Sequence, residues 1–189
     1  CLCLLLSVLS PLWGQTPRER FQKILSEVAK GTDPEKKIDL LISGSYELRK
    51  VMPRQALSLA NRAIVLADRH NLKQGKAYAS LGARQINLEN YEGAIQNYEK
   101  ALNFNQGVGK EVSRAKNYES LGHCFEQLLE DDKALGNYKN NLAIQQQLKN
   151  ESGVAIAHNK IGLVYFEQKN YQQAMTSFQA ALIIAQKMG

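Results

Sequence analysis

The sequence predicts an all-α fold, a solenoid of stacked antiparallel helix hairpins, from three observations. First, Gly82, Gly122 and Gly162 recur at a constant forty-residue spacing, each with alanine at +12, an aromatic residue at +16 and leucine at +20. Repetition at a period of about 20 to 50 residues is typical of stacked repeat architectures. Second, apolar residues recur at helical i, i+3 and i+4 spacing within each half of the repeat. Third, only short polar segments, such as 88–90 and 130–131, separate the two halves, which predicts tight turns.

The repeated glycine needs a packing reason, because a glycine inside a helix costs about 1 kcal/mol relative to alanine. We expect the glycine of the first helix and the alanine at +12 of the second helix to let the two backbones approach closely. The aromatic residue at +16 and the leucine at +20 then fill the space beside this contact. In the stretch 75–104 these residues are Gly82, Ala94, Tyr98 and Leu102. Since one hairpin cannot bury its apolar face alone, successive hairpins must stack.

A degenerate hairpin precedes the three clear ones. It keeps Gly44 and Ala56 but has Ala60 at the aromatic position, and Gly44 lies slightly closer to Gly82 than the later glycines lie to one another. Pro53 fits the start of its second helix, where a missing N–H does no harm. The predicted array of four hairpins therefore spans 32–189, divided as 32–71, 72–108, 109–150 and 151–189.

A separate helix is predicted at 15–31, in front of the array. Thr16 followed by Pro17 and Glu19 is a helix start, because the threonine and glutamate cap the first turn reciprocally. Gly31 is the predicted stop. An apolar stripe indicates that this helix caps the first hairpin; its residues are Phe21, Ile24, Leu25 and Val28.

The segment 1–14 is predicted to be a secretory signal peptide that lacks its basic start. The chain is apolar and uncharged up to Trp13, and Gly14 offers a small residue for cleavage. This run is shorter than the roughly 20 residues that cross a bilayer, and a truncated membrane anchor is the alternative. Either interpretation places the rest of the chain outside the cytoplasm, in the periplasm or secreted. At the other end, the apolar segment 180–185 predicts an array that continues further.

The repeat resembles the tetratricopeptide repeat family at Leu81-Gly82, Ala94, Tyr98 and Ala101, and at the equivalent positions around Gly122 and Gly162, where Asn141 replaces one alanine. The resemblance implies a right-handed superhelix whose first helices line a concave groove. The groove positions lie six and three residues before the glycine and one and four after it. They are Ile38, Leu41, Ser45 and Leu48; Lys76, Ala79, Ala83 and Ile86; Lys116, Glu119, His123 and Glu126; and Ile156, Asn159, Leu163 and Phe166. The middle of this groove is charged and its two ends are apolar; the alternative is that the apolar ends are core, under the N-terminal helix at one side and under a further repeat at the other.

The candidate binding residues implied by this resemblance are Lys76, Ala79, Ala83, Lys116, Glu119, His123, Asn159 and Leu163. Lys76 and Lys116 are expected on one wall of the groove, with Asn159 on the next repeat. This arrangement favours a protein or peptide partner that carries acidic groups, and ordinary solvated charges are the alternative. The Lys/Asn carboxylate clamp of chaperone-binding members is not reproduced, since Leu41 and Ser45 stand where it would begin.

The sequence contains no motif that would support catalysis or hold a cofactor: no glycine-rich phosphate loop, no serine elbow, no HExxH and no paired-cysteine spacing. Glu119, His123 and Glu126 share a helix face and could offer three metal ligands. Solvated ion pairs are the preferred interpretation, because no second Glu-x-x-His helix completes a carboxylate site. Cys124 is predicted to be a small core residue rather than a nucleophile.

The net charge of +6 and the pI near 9.2 raise nucleic acid as a partner. Lysine and arginine are spread along the chain, however, so a mildly basic surface is the preferred interpretation. The sequence thus predicts a non-catalytic exported scaffold for protein or peptide binding, without cofactor or metal. The alternative is the sensory region of a larger signalling protein, a histidine kinase, nucleotide cyclase or transcriptional regulator. Membrane association is expected only if a longer chain carries a span, and a metalloenzyme built on His123 is a third possibility.

Overall fold

The computed structural model describes residues 15–188, and within them it contains nine α-helices and no β-strand. The helices are α1 (Pro17–Lys30), α2 (Pro34–Glu47), α3 (Pro53–His70), α4 (Gln74–Ile86), α5 (Tyr91–Phe104), α6 (Glu111–Gln127), α7 (Asp131–Gln147), α8 (Glu151–Glu167) and α9 (Tyr171–Met188). Four pairs of consecutive helices each pack as a hairpin: α2–α3, α4–α5, α6–α7 and α8–α9. The predicted all-α solenoid is therefore confirmed. The predicted signal peptide, segment 1–14, lies outside the described residues.

Helix α1 begins at the capping sequence that predicts it. Thr16 Oγ1 accepts a hydrogen bond from the Glu19 amide at 3.2 Å, and the Glu19 carboxylate accepts one from the Thr16 amide at 2.7 Å. These two bonds satisfy amides that a helix start leaves without partners. The apolar stripe of α1 then packs on the core of the first hairpin; its residues are Phe21, Ile24, Leu25 and Val28.

Three of the four hairpins close with the same turn. After α4, α6 and α8 the chain passes through one left-handed residue, Glu89, Leu129 or Lys169, with φ of 58°, 58° and 60°. The next amide donates to the carbonyl five residues earlier, at 2.9, 2.9 and 2.8 Å. This Schellman pattern satisfies carbonyl groups at the helix end. The first hairpin lacks the turn: residues 48–52 join α2 to α3 without a left-handed residue.

The repeated glycine packs against the aromatic residue at +16. A Cβ built on Gly82 would lie 2.9 Å from Cε2 of Tyr98, and one on Gly122 would lie 2.6 Å from Cε1 of Tyr138. Gly162 and Phe178 repeat the contact at 2.6 Å. The ring at +16 therefore occupies the space that a side chain at the glycine would need, because the second helix lays its ring against the first.

In the first hairpin, helix α1 supplies the missing filler. A Cβ on Gly44 would lie 2.6 Å from Cδ1 of Ile24, so the isoleucine of α1 lies where a ring lies in later repeats. Ala60, at the aromatic position, is fully buried. The degenerate hairpin thus completes its core with a residue from the preceding helix, which explains why α1 caps the array.

The stacking places the first helix of each hairpin on one side of the solenoid. Helix α2 contacts α4, and α4 contacts α6, while α3 and α5 fill the space between successive first helices. The inner face of α4, α6 and α8 therefore forms the candidate groove. No helix among residues 15–188 is both long and apolar enough to cross a bilayer.

Candidate binding groove

The groove does not extend along the first hairpin, whose aligned positions are core residues, the alternative given above for the apolar ends of the groove. Ile38, Leu41, Ser45 and Leu48 are all buried, none more than 1% exposed. Helix α4 covers this face: Ser45 Oγ lies 3.0 Å from Ser80 Oγ, and Arg84 donates to the Ser45 carbonyl at 2.8 Å. Helix α1 packs on α2 as well, so these four positions belong to the core of the first hairpin.

Asp39 is the residue of α2 that reaches the groove, and it is paired with lysines of α4. Lys76 Nζ lies 2.7 Å from Asp39 Oδ1. Lys73 contacts the other oxygen of Asp39 and lies 3.0 Å from Glu35. The hydrogen bond from Lys73, reinforced by the one from Lys76, lowers the pKa of Asp39, and the bond to Asp39 raises the pKa of Lys73. Lys76 is therefore held in place by an acidic neighbour within the chain.

The predicted residues of α6 have different surroundings. Lys116 is exposed and forms no ion pair with any described residue, while Glu119 and His123 are half-buried. The His123 ring meets Tyr91 edge-on, with centroids 6.3 Å apart. Lys116 is thus the exposed cation of this helix's inner face, and His123 is partly packed against the wall formed by α5.

Glu126, also on α6, is committed to its own hairpin. Its carboxylate accepts a 2.6 Å hydrogen bond from the hydroxyl of Tyr138 and lies 3.9 Å from Nδ1 of His123. Burial, together with this bond to a carboxylate, raises the pKa of the Tyr138 phenol. Among the described residues, no three His, Cys, Asp or Glu side chains are placed to hold a metal ion. The bond from Tyr138 gives Glu126 a structural role.

The groove is open and apolar on α8. Asn159 and Leu163 are exposed, and so are the neighbouring positions Ile156 and Phe166 at 51% and 52%. This agrees with the apolar end expected for the last hairpin. The groove therefore changes along its length from lysines on α4 and α6 to apolar side chains on α8.

A cavity of about 740 Å³ opens between α4, α5 and α6. It brings together three of the predicted residues, Lys76, Ala79 and Lys116, whereas Ala83, Glu119, His123, Asn159 and Leu163 do not line it. Four of its fourteen lining residues are lysines, and none is Asp or Glu. The other two lysines are Lys73 and Lys110. The arrangement can bind negatively charged groups and offers no carboxylic acid for proton transfer.

Sequence reasoning missed three buried polar residues beside the groove. Asn117 is 3% exposed and Asn105 is 6% exposed, and both line the cavity; Arg84 is 6% exposed and bonds to the first hairpin. For Asn117 and Arg84 a signal was present in the repeat. The equivalents of Asn117 are Ala77 and Ala157, and those of Arg84 are Cys124 and Val164. A polar residue at an otherwise apolar repeat position marks a special contact.

Cys124 lies in the core, as predicted. It is fully buried, and burial raises the pKa of its thiol to about 11. The thiolate that a nucleophile requires is therefore scarce at neutral pH. The thiol serves as a small packing group in the core shared by the later hairpins.

Two tetratricopeptide repeat models match the sequence, over residues 74–107 and 111–187. BtubC (BKLC) from P. vanneervenii is similar in structure, with a TM-score of 0.79 at 20% identity over 90% of this chain and 75% of that chain. MamA is also similar in structure, with a TM-score of 0.69 at 22% identity over 91% of this chain and 88% of that chain. The apo form of RapI gives 0.77 at 21% identity over 88% of this chain and 47% of that chain, so the chain spans about half of RapI.

No curated protein matches the chain. The similarity to the solved structures is a similarity of fold. The two repeat models together cover more than half of the sequence, and they coincide with helices α4 to α9. Residues 74–107 and 111–187 therefore consist of tetratricopeptide repeats.

Proposed function

We propose that the chain is a non-catalytic, exported scaffold that binds a protein or peptide segment carrying acidic groups. The segment lies in the groove formed by the inner faces of α4, α6 and α8. One observation carries this proposal: the cavity between α4 and α6 is lined by four lysines and by no acidic residue. A surface of this kind attracts acidic groups and repels basic ones.

Lys116 is the main anchor in this proposal. It is exposed and has no ion-pair partner among residues 15–188, so a partner carboxylate meets no competitor there. Lys76 contributes differently, because Asp39 already holds it at 2.7 Å and shares its charge. A charge-assisted hydrogen bond contributes about 1.5–3 kcal/mol. The small side chains of Ala79 and Ala83 leave room for a backbone to approach between these contacts.

The exposed apolar residues of α8 extend the same surface. Ile156, Leu163 and Phe166 continue the groove beyond the lysines. A segment with acidic groups at one end and apolar side chains at the other matches this order. Such a pattern gives the partner a direction along the groove, because reversing it would place carboxylates on apolar residues and leave the lysines without partners.

The groove is tested by capturing the partner with the full chain and measuring its affinity for variants. Lys76→Ala combined with Lys116→Ala is expected to weaken binding at least about tenfold, which corresponds to one charge-assisted hydrogen bond. The melting temperature should stay almost unchanged, since exposed ion pairs contribute little to stability. Lys169→Ala combined with Lys187→Ala removes the same charge outside the cavity and should bind like the parent. Equal binding by the two double variants would exclude the groove as the site.

Export is tested separately, because it depends on segment 1–14. A reporter fused behind the complete N-terminus should leave the cytoplasm and lose its leader near Gly14. An uncleaved product held in the membrane would instead favour the anchor interpretation.

A further inference from the structure

A second groove lies in the first hairpin, between α1 and α3, and it shares no residue with the cavity between α4 and α6. Helix α3 lines it from Arg54 to Arg69, with residues at the spacing of one helix face. At about 1.5 Å of rise per residue, this lining is about 22 Å long. Val28 of α1 and Lys37 and Leu41 of α2 complete it, around a space of about 560 Å³. The groove is therefore long enough to hold a helical segment.

Apolar side chains form the middle of this lining. Leu57, Val65 and Leu66 lie between the two end arginines of α3, and Val28 and Leu41 add to them from the neighbouring helices. Val65 is 59% exposed, so the first hairpin itself leaves this surface open to water. A continuous apolar surface that is open to water and bordered by polar residues is typical of an interaction site.

Basic side chains accompany the apolar residues along the whole groove. They are Lys37, Arg54, Arg62 and Arg69, and within residues 15–188 none of them forms an ion pair. None of the lining residues is Asp or Glu. Arg62 lies about midway between the two end arginines, so positive charge is present at both ends of the groove and in its middle. Acidic groups are the complement of such a surface.

The second helices of the next hairpins carry acidic residues where α3 is basic or neutral. Arg54 is the second residue of α3, and the equivalent residues of α5 and α7 are Glu92 and Asp132. The partial positive charge of a helix N-terminus stabilises an acidic residue in the first turn and repels an arginine. Asn61 likewise stands at the position of Glu99 in α5. The local stability of α3 therefore does not explain Arg54, and the basic groove is particular to the first hairpin.

The distribution of the charges indicates what kind of molecule covers the groove. An anionic lipid carries its charge at one end, so an acyl chain lying in the groove would leave the cations at the other end without partners. An amphipathic helix carries charged side chains along its whole length, on both sides of its apolar stripe. The long apolar lining with cations at both ends and in the middle matches the helix.

We propose that the groove between α1 and α3 binds an acidic amphipathic helix of a protein partner. The apolar stripe of that helix packs on Val65 and its apolar neighbours, and its Asp and Glu side chains pair with Arg54, Arg62 and Arg69. The inference goes beyond the function proposed above and does not rest on it, because the two surfaces have no residue in common.

The test titrates a fluorescein-labelled synthetic helical peptide with the full chain and follows the fluorescence anisotropy. The peptide has about 15 residues, to match the length of the groove. Its leucines stand at i, i+3, i+4 and i+7, with glutamates on both sides of them. We expect saturable binding that weakens as the salt concentration rises. A second peptide with lysine in place of each glutamate should bind at least about tenfold more weakly, and equal binding of the two peptides would contradict the inference.

Variants on α3 locate the bound peptide. Val65→Asp should weaken binding of the acidic peptide by about tenfold or more, because it places a carboxylate in the apolar lining. Arg62→Glu should weaken it by about tenfold, the loss expected for one charge-assisted contact, whereas Lys187→Glu makes the same change of charge on the exposed end of α9 and should bind like the parent. Lys116→Ala should also bind the peptide like the parent. Failure of this inference is therefore distinguishable from failure of the groove proposal.

Arg54→Glu separates a binding role from a structural one. It restores the acidic first turn of α5 and α7, so the melting temperature of the free chain should stay the same or rise while the affinity for the peptide falls by about tenfold. Absence of saturable peptide binding would overturn the inference, as would unchanged affinity in Arg54→Glu and Arg62→Glu. Binding to phosphatidylglycerol vesicles without binding of the peptide would assign the surface to a membrane instead. Self-association of the full chain that Val65→Asp abolishes would assign it to a second copy, and either result would overturn the inference.

Discussion

Replacing Gly122 with alanine should destabilise the array, although alanine is the better helix former. The added Cβ would lie 2.6 Å from Cε1 and 2.7 Å from Cδ1 of Tyr138, well inside ordinary contact distance. The ring cannot retreat, because Tyr138 is fully buried and its hydroxyl donates to Glu126 at 2.6 Å. Overpacking of this kind costs about 1–3 kcal/mol. The higher helix propensity of alanine offsets about 1 kcal/mol of this overpacking cost.

Gly136 provides the matched control. It lies within α7, and a Cβ built on it meets nothing within 4 Å. Gly136→Ala should therefore gain about 1 kcal/mol from helix propensity alone. Since propensity acts equally at both sites, the difference between the two variants isolates the overpacking cost of about 1–3 kcal/mol. For a chain of this size each kcal/mol moves the melting temperature by roughly 2–4 °C.

The assay is thermal and urea denaturation followed by circular dichroism. The melting temperature of Gly122→Ala should be lower than that of Gly136→Ala. The melting temperature of the parent should be equal to or lower than that of Gly136→Ala. In a Tyr138→Leu background, where the ring is absent, Gly122→Ala should lose most of its penalty. If Gly122→Ala proves as stable as Gly136→Ala, the contact between glycine and ring does not limit the packing, and the physical reason given for the repeated glycine is wrong.

Two further predictions concern titratable groups. Asp39→Asn should cost about 0.2–1 kcal/mol at neutral pH and low salt, because the carboxylate is partly exposed. The pKa of Asp39 is lowered, so its contribution is present above the unfolded value and disappears as the pH falls through the folded value; urea midpoints of parent and variant should converge in acid. A constant difference at all pH values would contradict the ion pair. Cys124, with its thiol pKa raised to about 11, should resist iodoacetamide in the native chain and react after unfolding in urea. Equal rates in both states would contradict its burial.

The repeat pattern was sufficient to predict the helices, because the signals involved are local. Apolar spacing and short polar turns determine each hairpin, and the constant period determines how hairpins stack. The capping helix was predictable for the same reason, since Thr16 and Glu19 act within one turn. The tetratricopeptide resemblance indicated the inner face of α4, α6 and α8.

The remaining features depend on contacts between distant residues. The buried face of α2 follows from its packing against α1 and α4, and an alignment on Gly44 does not show those contacts. The pairing of Lys76 with Asp39 joins residues 37 positions apart and requires the placement of α4 against α2. Asn117 looks like a departure from the repeat until the cavity beside it is known. An alignment of the repeats identifies the residues that the hairpins have in common. The residues of the candidate site differ from one hairpin to the next, so the alignment does not identify them.

Hydrogen–deuterium exchange of the full chain, with and without its captured partner, tests the central claim most directly. Partner binding in the groove should slow exchange at the starts of α4 and α6 and along α8. Helices α7 and α9 should exchange as in the free chain, because none of their residues lines the cavity. Protection confined to α7 and α9, with α4 and α6 unchanged, would contradict the proposal that the groove binds the partner.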